Sequence, residues 1–169
     1  MNVLDHFSIP YKGLKNGAHR FIFEVDDAFF ATFENSYVQG GDLKVELDLD
    51  KRPDLAIAAF QVEGEVKVNC DRCLQQFGRS VEGDFSLHIK TGLPDPDQDE
   101  VLFIDPETSS INFATYIYEC ISLLLPIAIV HEDIKDCDQE MLSRFTSNDD
   151  DDDAPQNDLW DSLKGLKFD

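Results

Sequence analysis

The sequence predicts an α+β protein: an antiparallel β-sheet with a long hairpin, covered by one main helix, and a flexible acidic C-terminal tail that ends in a short helix. Two long runs of alternating residues flank a short cysteine-containing turn near residue 70, which predicts the hairpin. One apolar stripe at helical spacing precedes Pro126, and five consecutive aspartates follow at 149–153. We therefore expect a single domain over residues 1–145, a disordered acidic linker over 146–157 and an amphipathic helix over 158–169.

The strand predictions rest on period-two alternation of apolar and polar residues. In "DLKVELDLD" the leucines and valine alternate with charged residues, as expected for a strand with one wet face. "FQVEGEVKVNC" and "SVEGDFSLHIK" alternate in the same way on either side of the turn. They predict an antiparallel hairpin whose tip carries Cys70 and Cys73. Gly64 and Gly83 interrupt these runs and indicate bulges or a close approach of neighbouring chain.

The main helix is predicted within "SSINFATYIYECISLLLP". One apolar stripe is formed by residues at helical spacing, namely Phe113, Ile117, Cys120, Ile121 and Leu124. Ser110 or Asn112 can cap its start, and Pro126 ends it. A further short helix is expected in "DCDQEMLSRF".

The tail is expected to dock on another surface. "TSNDDDDDAPQND" buries nothing and repels itself, whereas "DLWDSLKGLKF" places Trp160, Leu163 and Leu166 on a short amphipathic helix. The helix either folds back on the chain's own sheet or captures a basic partner.

The net charge of −21 limits the classes of partner. Such a protein is repelled by phosphate and anionic lipid, so any contact with RNA must be local, indirect or through a basic partner; alternatively, the acid only keeps the chain soluble. Residues 1–17 have no apolar signal region, and no apolar run approaches the ~20 residues that span a bilayer. We therefore expect a cytoplasmic protein whose cysteines are thiols or metal ligands.

The cysteines suggest a zinc site. A redox pair is usually found at a helix N-terminus after a parallel strand, and no such pattern surrounds Cys70 and Cys73. Cys70 and Cys73 have standard zinc spacing, and His131 with Cys137 completes a Cys3His set. Cys120 lies on the apolar helical stripe and is expected to be a core residue. The alternative is a turn with two buried thiols and no metal.

Catalytic motifs are not evident. The sequence has no glycine-rich phosphate loop, no HExxH and no nucleophile elbow, so we do not expect an enzyme. The alternative is a small zinc- or thiol-dependent enzyme that uses the Cys70/Cys73 tip; a third possibility is a plain interaction module.

Three segments resemble the YceD family, whose members are called large ribosomal RNA subunit accumulation proteins. They are "VNCDRCLQQF" with Cys70, Arg72 and Cys73, "ISLLLPIAIVHEDIKDC" and "WDSLKGLK". The resemblance covers about residues 40 to 169. It implies a bacterial or organellar cytoplasmic protein that supports accumulation of large-subunit ribosomal RNA and ribosome assembly.

The partner implied by this resemblance is large-subunit ribosomal RNA or a basic large-subunit ribosomal protein. Lys67, Arg72 and Arg79 near the hairpin tip are the candidate contacts to RNA. Arg72 can instead be a turn residue that donates hydrogen bonds to local carbonyls. The acidic surface is better suited to a basic protein.

Overall fold

The computed structural model describes residues 3–34, 36–93 and 101–146. Its strands are β1 (Ser8–Ile9), β2 (Gly17–Val25), β3 (Val38–Lys51), β4 (Leu55–Asn69), β5 (Gln76–Thr91), β6 (Val101–Ile104) and β7 (Ile111–Asn112). Its α-helices are α1 (Asp27–Phe30), α2 (Ala114–Leu123) and α3 (Gln139–Thr146). Among these residues, no helix is both long and apolar enough to cross a membrane.

The central feature is a sheet in the order β2-β3-β4-β5-β6. β4 and β5 pair antiparallel from Leu55↔Lys90 to Asn69↔Gln76, which confirms the predicted long hairpin with the cysteines at its tip. Alternation along β3 and β4 buries one face and leaves the other in solvent, as the period-two pattern predicted. The short strands β1 and β7 form a separate two-stranded sheet.

The sheet is mixed, which corrects the prediction of a purely antiparallel one. β6 lies parallel to β5, with His88 opposite Val101 and Thr91 opposite Ile104. A short apolar run carries no signal of its direction, so the sequence could not distinguish the two pairings. Only the last four residues of β5 are matched, so β6 begins about 10 Å back from the end of β5.

The helix α2 covers the buried face of the sheet. Phe60 on β4 contacts both Phe113 and Tyr116, with ring centroids 5.3 Å and 4.9 Å apart. Ile117 and Ile121 are fully buried on the same stripe. Asn112 Oδ1 accepts a hydrogen bond from the Ala114 N–H (2.9 Å), so one of the two predicted polar side chains serves the first turn. The single turn α1 begins one residue before the segment "AFFATFENS", and Phe29 and Phe30 of this turn are buried in the core.

Two glycines of the hairpin allow neighbouring elements to pack closely against it. Gly64 has a φ of +148°, and a Cβ there would lie 2.6 Å from Leu43 Cα on the neighbouring strand. A Cβ on Gly83 would collide with Leu124 at the end of α2. Close approach, rather than a bulge, therefore explains both glycines. The acidic linker, Trp160, Leu163 and Leu166 lie outside the described residues.

Candidate metal centre

The hairpin tip is a tight turn that holds two cysteines. The Cys70 N–H donates to Gln75 O (2.9 Å), and the Leu74 N–H donates to Cys70 O (2.7 Å). Leu74 adopts a φ of +64°, a left-handed conformation that leucine rarely takes. The turn brings Cys70 and Cys73 to the same side, both nearly inaccessible to solvent.

The segment after α2 is joined to this tip by two hydrogen bonds between Asp71 and the backbone of Ile129. The Asp71 N–H donates to Ile129 O (2.7 Å), and Asp71 Oδ2 accepts from the Ile129 N–H (2.7 Å). Beyond Ile129 the chain passes through a 3-10 turn over Ile134–Asp136, in which the Asp133 side chain accepts from the Lys135 N–H. This path brings His131 and Cys137 to the hairpin tip.

The four predicted ligands meet in one cluster. Cys70 Sγ lies 4.0 Å from Cys137 Sγ, and His131 Nδ1 lies 3.7 Å from Cys73 Sγ and 3.5 Å from Cys137 Sγ. All four candidate ligand atoms lie within 4.8 Å of one another. Residues distant in sequence are thus close enough in space to hold a metal ion.

Hydrogen bonds within the cluster favour the thiolate form of Cys70. Burial acts to raise the pKa of Cys70, but the backbone N–H groups of His131, Cys73 and Arg72 outweigh it and bring that pKa down to about 6. Burial also raises the pKa of Cys137, and the neighbouring cysteines add to that effect, whereas Arg72 opposes it. The thiolate form is therefore favoured first at Cys70.

The predicted basic contacts have different surroundings. Arg72 Nη1 donates to Cys137 Sγ (3.8 Å), so its guanidinium faces the cluster. Lys67 pairs with Asp27, with Nζ 2.8 Å from Oδ2. Arg79 is half-buried and lies on the same face of β5 as Phe77 and Val81. Two of the three cations, Lys67 and Arg72, thus already have side-chain partners in this chain.

Two contributors to the cluster were missed by sequence reasoning. The Phe77 ring packs on His131 with centroids 4.3 Å apart, which fixes the imidazole plane. Asp71 holds Ile129 as described above, and no sequence pattern distinguishes it from any other turn aspartate. An aromatic residue two positions after a predicted turn gives no indication of which partner it will meet.

The expectation for Cys120 is confirmed: it is a core residue, and burial raises its pKa to about 11.

Comparison with known proteins identifies a family. A family profile described as "Large ribosomal RNA subunit accumulation protein YceD" matches residues 58–167, which is more than half of the 169-residue chain. The matched segment contains the hairpin except for the first three residues of β4, and it contains α2 and all four cluster residues. Neither the search of curated proteins nor that of solved structures gave a match.

Proposed function

The chain belongs to the YceD family of large ribosomal RNA subunit accumulation proteins, and from this membership we propose that it is a non-catalytic factor supporting large-subunit ribosomal RNA accumulation and ribosome assembly in the cytoplasm. The observation that carries the proposal is the match over residues 58–167. The burial of the cluster cysteines, none more than 4% exposed, supports a non-catalytic role because a substrate would have little access to them. A zinc- or thiol-dependent enzyme is the less favoured alternative.

The solvent face of the sheet supports a basic ribosomal protein as the partner. Carboxylates outnumber Lys and Arg side chains on this face across β2 to β5: Glu24, Asp42, Glu46, Asp48, Asp50, Glu63, Glu65, Glu82 and Asp84 against Arg20, Lys44, Lys67 and Lys90. Arg20, Lys44 and Lys67 are each already ion-paired within the protein. A surface of this charge attracts lysine- and arginine-rich protein and repels RNA.

Two cross-strand pairs place like charges directly opposite each other. Glu63 faces Glu82, and Asp42 faces Glu65, with all four side chains exposed. Directly opposed like charges destabilise a sheet by up to ~1 kcal/mol. A basic partner that lies across these pairs would relieve the repulsion, so the Glu82→Gln variant should be more stable alone but should bind the partner less well.

The tail remains part of the proposal through its sequence. We propose that Trp160, Leu163 and Leu166 form a docking element, on the chain's own sheet or on the partner. Trp160 is the only tryptophan, so its fluorescence reports on this segment alone. A solvent-like emission that does not change when ribosomal proteins or RNA are added would exclude the docking role.

The function is tested in a bacterial strain whose own family gene is deleted. Expression of this chain should restore the ratio of large- to small-subunit ribosomal RNA, with the amount of small-subunit RNA as the internal control. A well-expressed, folded chain that leaves the ratio low would contradict the proposal. Affinity capture from lysate, with and without RNase, then identifies the partner: a ribosomal protein should survive RNase, and an RNA-bridged contact should not.

A further inference from the structure

We propose that Cys70, Cys73, His131 and Cys137 form a structural zinc site that fastens the segment after α2 to the tip of the β4–β5 hairpin. The inference does not depend on the proposed function, because metal content is read on the purified protein.

The spacing of the donor atoms fits tetrahedral zinc. Zn–S bonds of about 2.3 Å and Zn–N bonds of about 2.0–2.1 Å place tetrahedral ligands about 3.8 Å apart for two sulfurs and about 3.6 Å apart for sulfur and nitrogen. The observed Sγ–Sγ distance is 4.0 Å, and the two Sγ–Nδ1 distances are 3.7 Å and 3.5 Å. These three distances lie within a few tenths of an ångström of the tetrahedral values, and the remaining donor pairs lie within 4.8 Å of one another.

The kinds of donor atom select the metal. Three thiolates and one imidazole favour zinc over calcium and magnesium, which require oxygen ligands. Four protein ligands leave no open coordination position, and a catalytic zinc keeps one for water or substrate. The three thiols are also buried. The site is therefore structural.

The surroundings balance the charge of such a centre. Zinc with three thiolates has a net charge of −1, and Arg72 places its guanidinium 3.8 Å from Cys137 Sγ. Outer contacts of this kind orient the ligands and stabilise their charge in metal sites.

Apolar packing alone does little to stabilise the segment after α2, residues 130–146. The main core lies between the sheet and α2, and the cluster cysteines form a separate apolar group of three buried residues: Cys70, Cys73 and Cys137. Among the residues that the structure describes, the partly buried hydrophobic side chains that pack against it are Phe77, Val130 and Leu142. So small a group buries too little apolar surface to offset the entropy of ordering residues 130–146. A metal crosslink supplies the missing constraint.

The first test is elemental analysis of the full chain, purified under reducing conditions without chelator. One zinc per chain is expected. The Cys73→Ala and His131→Ala variants should lose it, His131→Cys should keep it, and the matched control Cys120→Ala should also keep it because Cys120 is a buried cysteine outside the cluster. Absence of zinc even after addition of excess Zn²⁺, or retention by Cys73→Ala, would overturn the site.

The second test uses the wild-type chain, so its result does not depend on whether a ligand variant folds. Co²⁺ exchanged into the wild-type chain should give the visible absorption of a tetrahedral thiolate complex, and its absence overturns the coordination. Chelation of the wild-type metal should speed amide hydrogen exchange by at least tenfold in residues 69–76 and 129–146, while β3 and the middle of β4 stay protected. Uniform loss of protection, or no change anywhere, would overturn the fastening role.

Discussion

Arg72 in the hairpin tip donates a hydrogen bond to Cys137, 65 residues further along the chain, with Nη1 3.8 Å from Sγ. The guanidinium therefore faces a sulfur of the cluster rather than the local carbonyls. This geometry gives Arg72 a place in the outer shell of the proposed zinc site, and it makes Arg72 less available to RNA.

Replacement of Arg72 should weaken zinc binding. Removal of an outer-shell partner of a metal ligand typically reduces metal affinity by about 10–100-fold. We expect a loss of this size for Arg72→Ala, measured by competition with a chromophoric chelator. Arg79→Ala is the matched control, because Arg79 lies on β5 and has no contact with the cluster among the described residues. Equal affinities for the two variants would remove Arg72 from the metal site.

Gly64 should be intolerant of any side chain. Its φ of +148° is unfavourable for L-residues, and a Cβ would press on the backbone of β3 at Leu43. Gly64→Ala is therefore expected to lower the free energy of unfolding by about 3 kcal/mol through backbone strain and overpacking. Gly13→Ala is the control, since nothing lies within 4 Å of a Cβ there, and its effect should stay within about 0.5 kcal/mol. Urea unfolding measures both, and similar midpoints would contradict the close approach at Gly64.

The sequence predicted the hairpin from a local signal, and it identified the two halves of the cluster from the residue types and spacing within each half. Period-two alternation defines β3, β4 and β5, and the spacing of Cys70 and Cys73 is itself a metal-site pattern. The contacts of Arg72 and the parallel pairing of β6 were not predictable, because each depends on which distant segment the fold brings alongside. The ion pair of Lys67 was not predictable for the same reason: its partner Asp27 lies in a one-turn helix 40 residues earlier.

The left-handed backbone at Leu74 predicts opposite effects for two substitutions. Leucine in this conformation costs roughly 1–2 kcal/mol, and glycine removes that strain while gaining entropy in the unfolded chain. Leu74→Gly should therefore raise the free energy of unfolding by up to about 1 kcal/mol, and the β-branched Leu74→Val should lower it by about 1 kcal/mol. Unfolding is measured at constant zinc concentration. A shift of both variants in the same direction would show that strain at residue 74 is not the cause.

Asp27 should make stability depend on pH in the acid range. β3 continues past the end of β2, so the Gly41 N–H lies at an open edge, and Asp27 Oδ1 accepts it (2.8 Å) while also binding Lys67. The hydrogen bond from Lys67, and then that from Gly41, lower the pKa of Asp27 below its ordinary value of 3.8. A carboxyl group whose pKa is lowered on folding stabilises the protein above its unfolded pKa, and the effect is lost as pH falls through the folded value.

The Asp27→Asn variant should accordingly be less stable than wild type at pH 7, and the difference should shrink as the pH is lowered below about 4. Urea midpoints over this range measure the effect, with Asp54→Asn in the exposed turn between β3 and β4 as the control that should follow wild type throughout.

The same Asp27→Asn variant tests Lys67 as an RNA contact. Because the variant lacks the carboxylate that pairs with Lys67, the Lys67 ammonium becomes available to RNA. If Lys67 is an RNA contact, Asp27→Asn should bind large-subunit RNA more tightly than wild type at pH 7, and unchanged or weaker binding would exclude that role for Lys67.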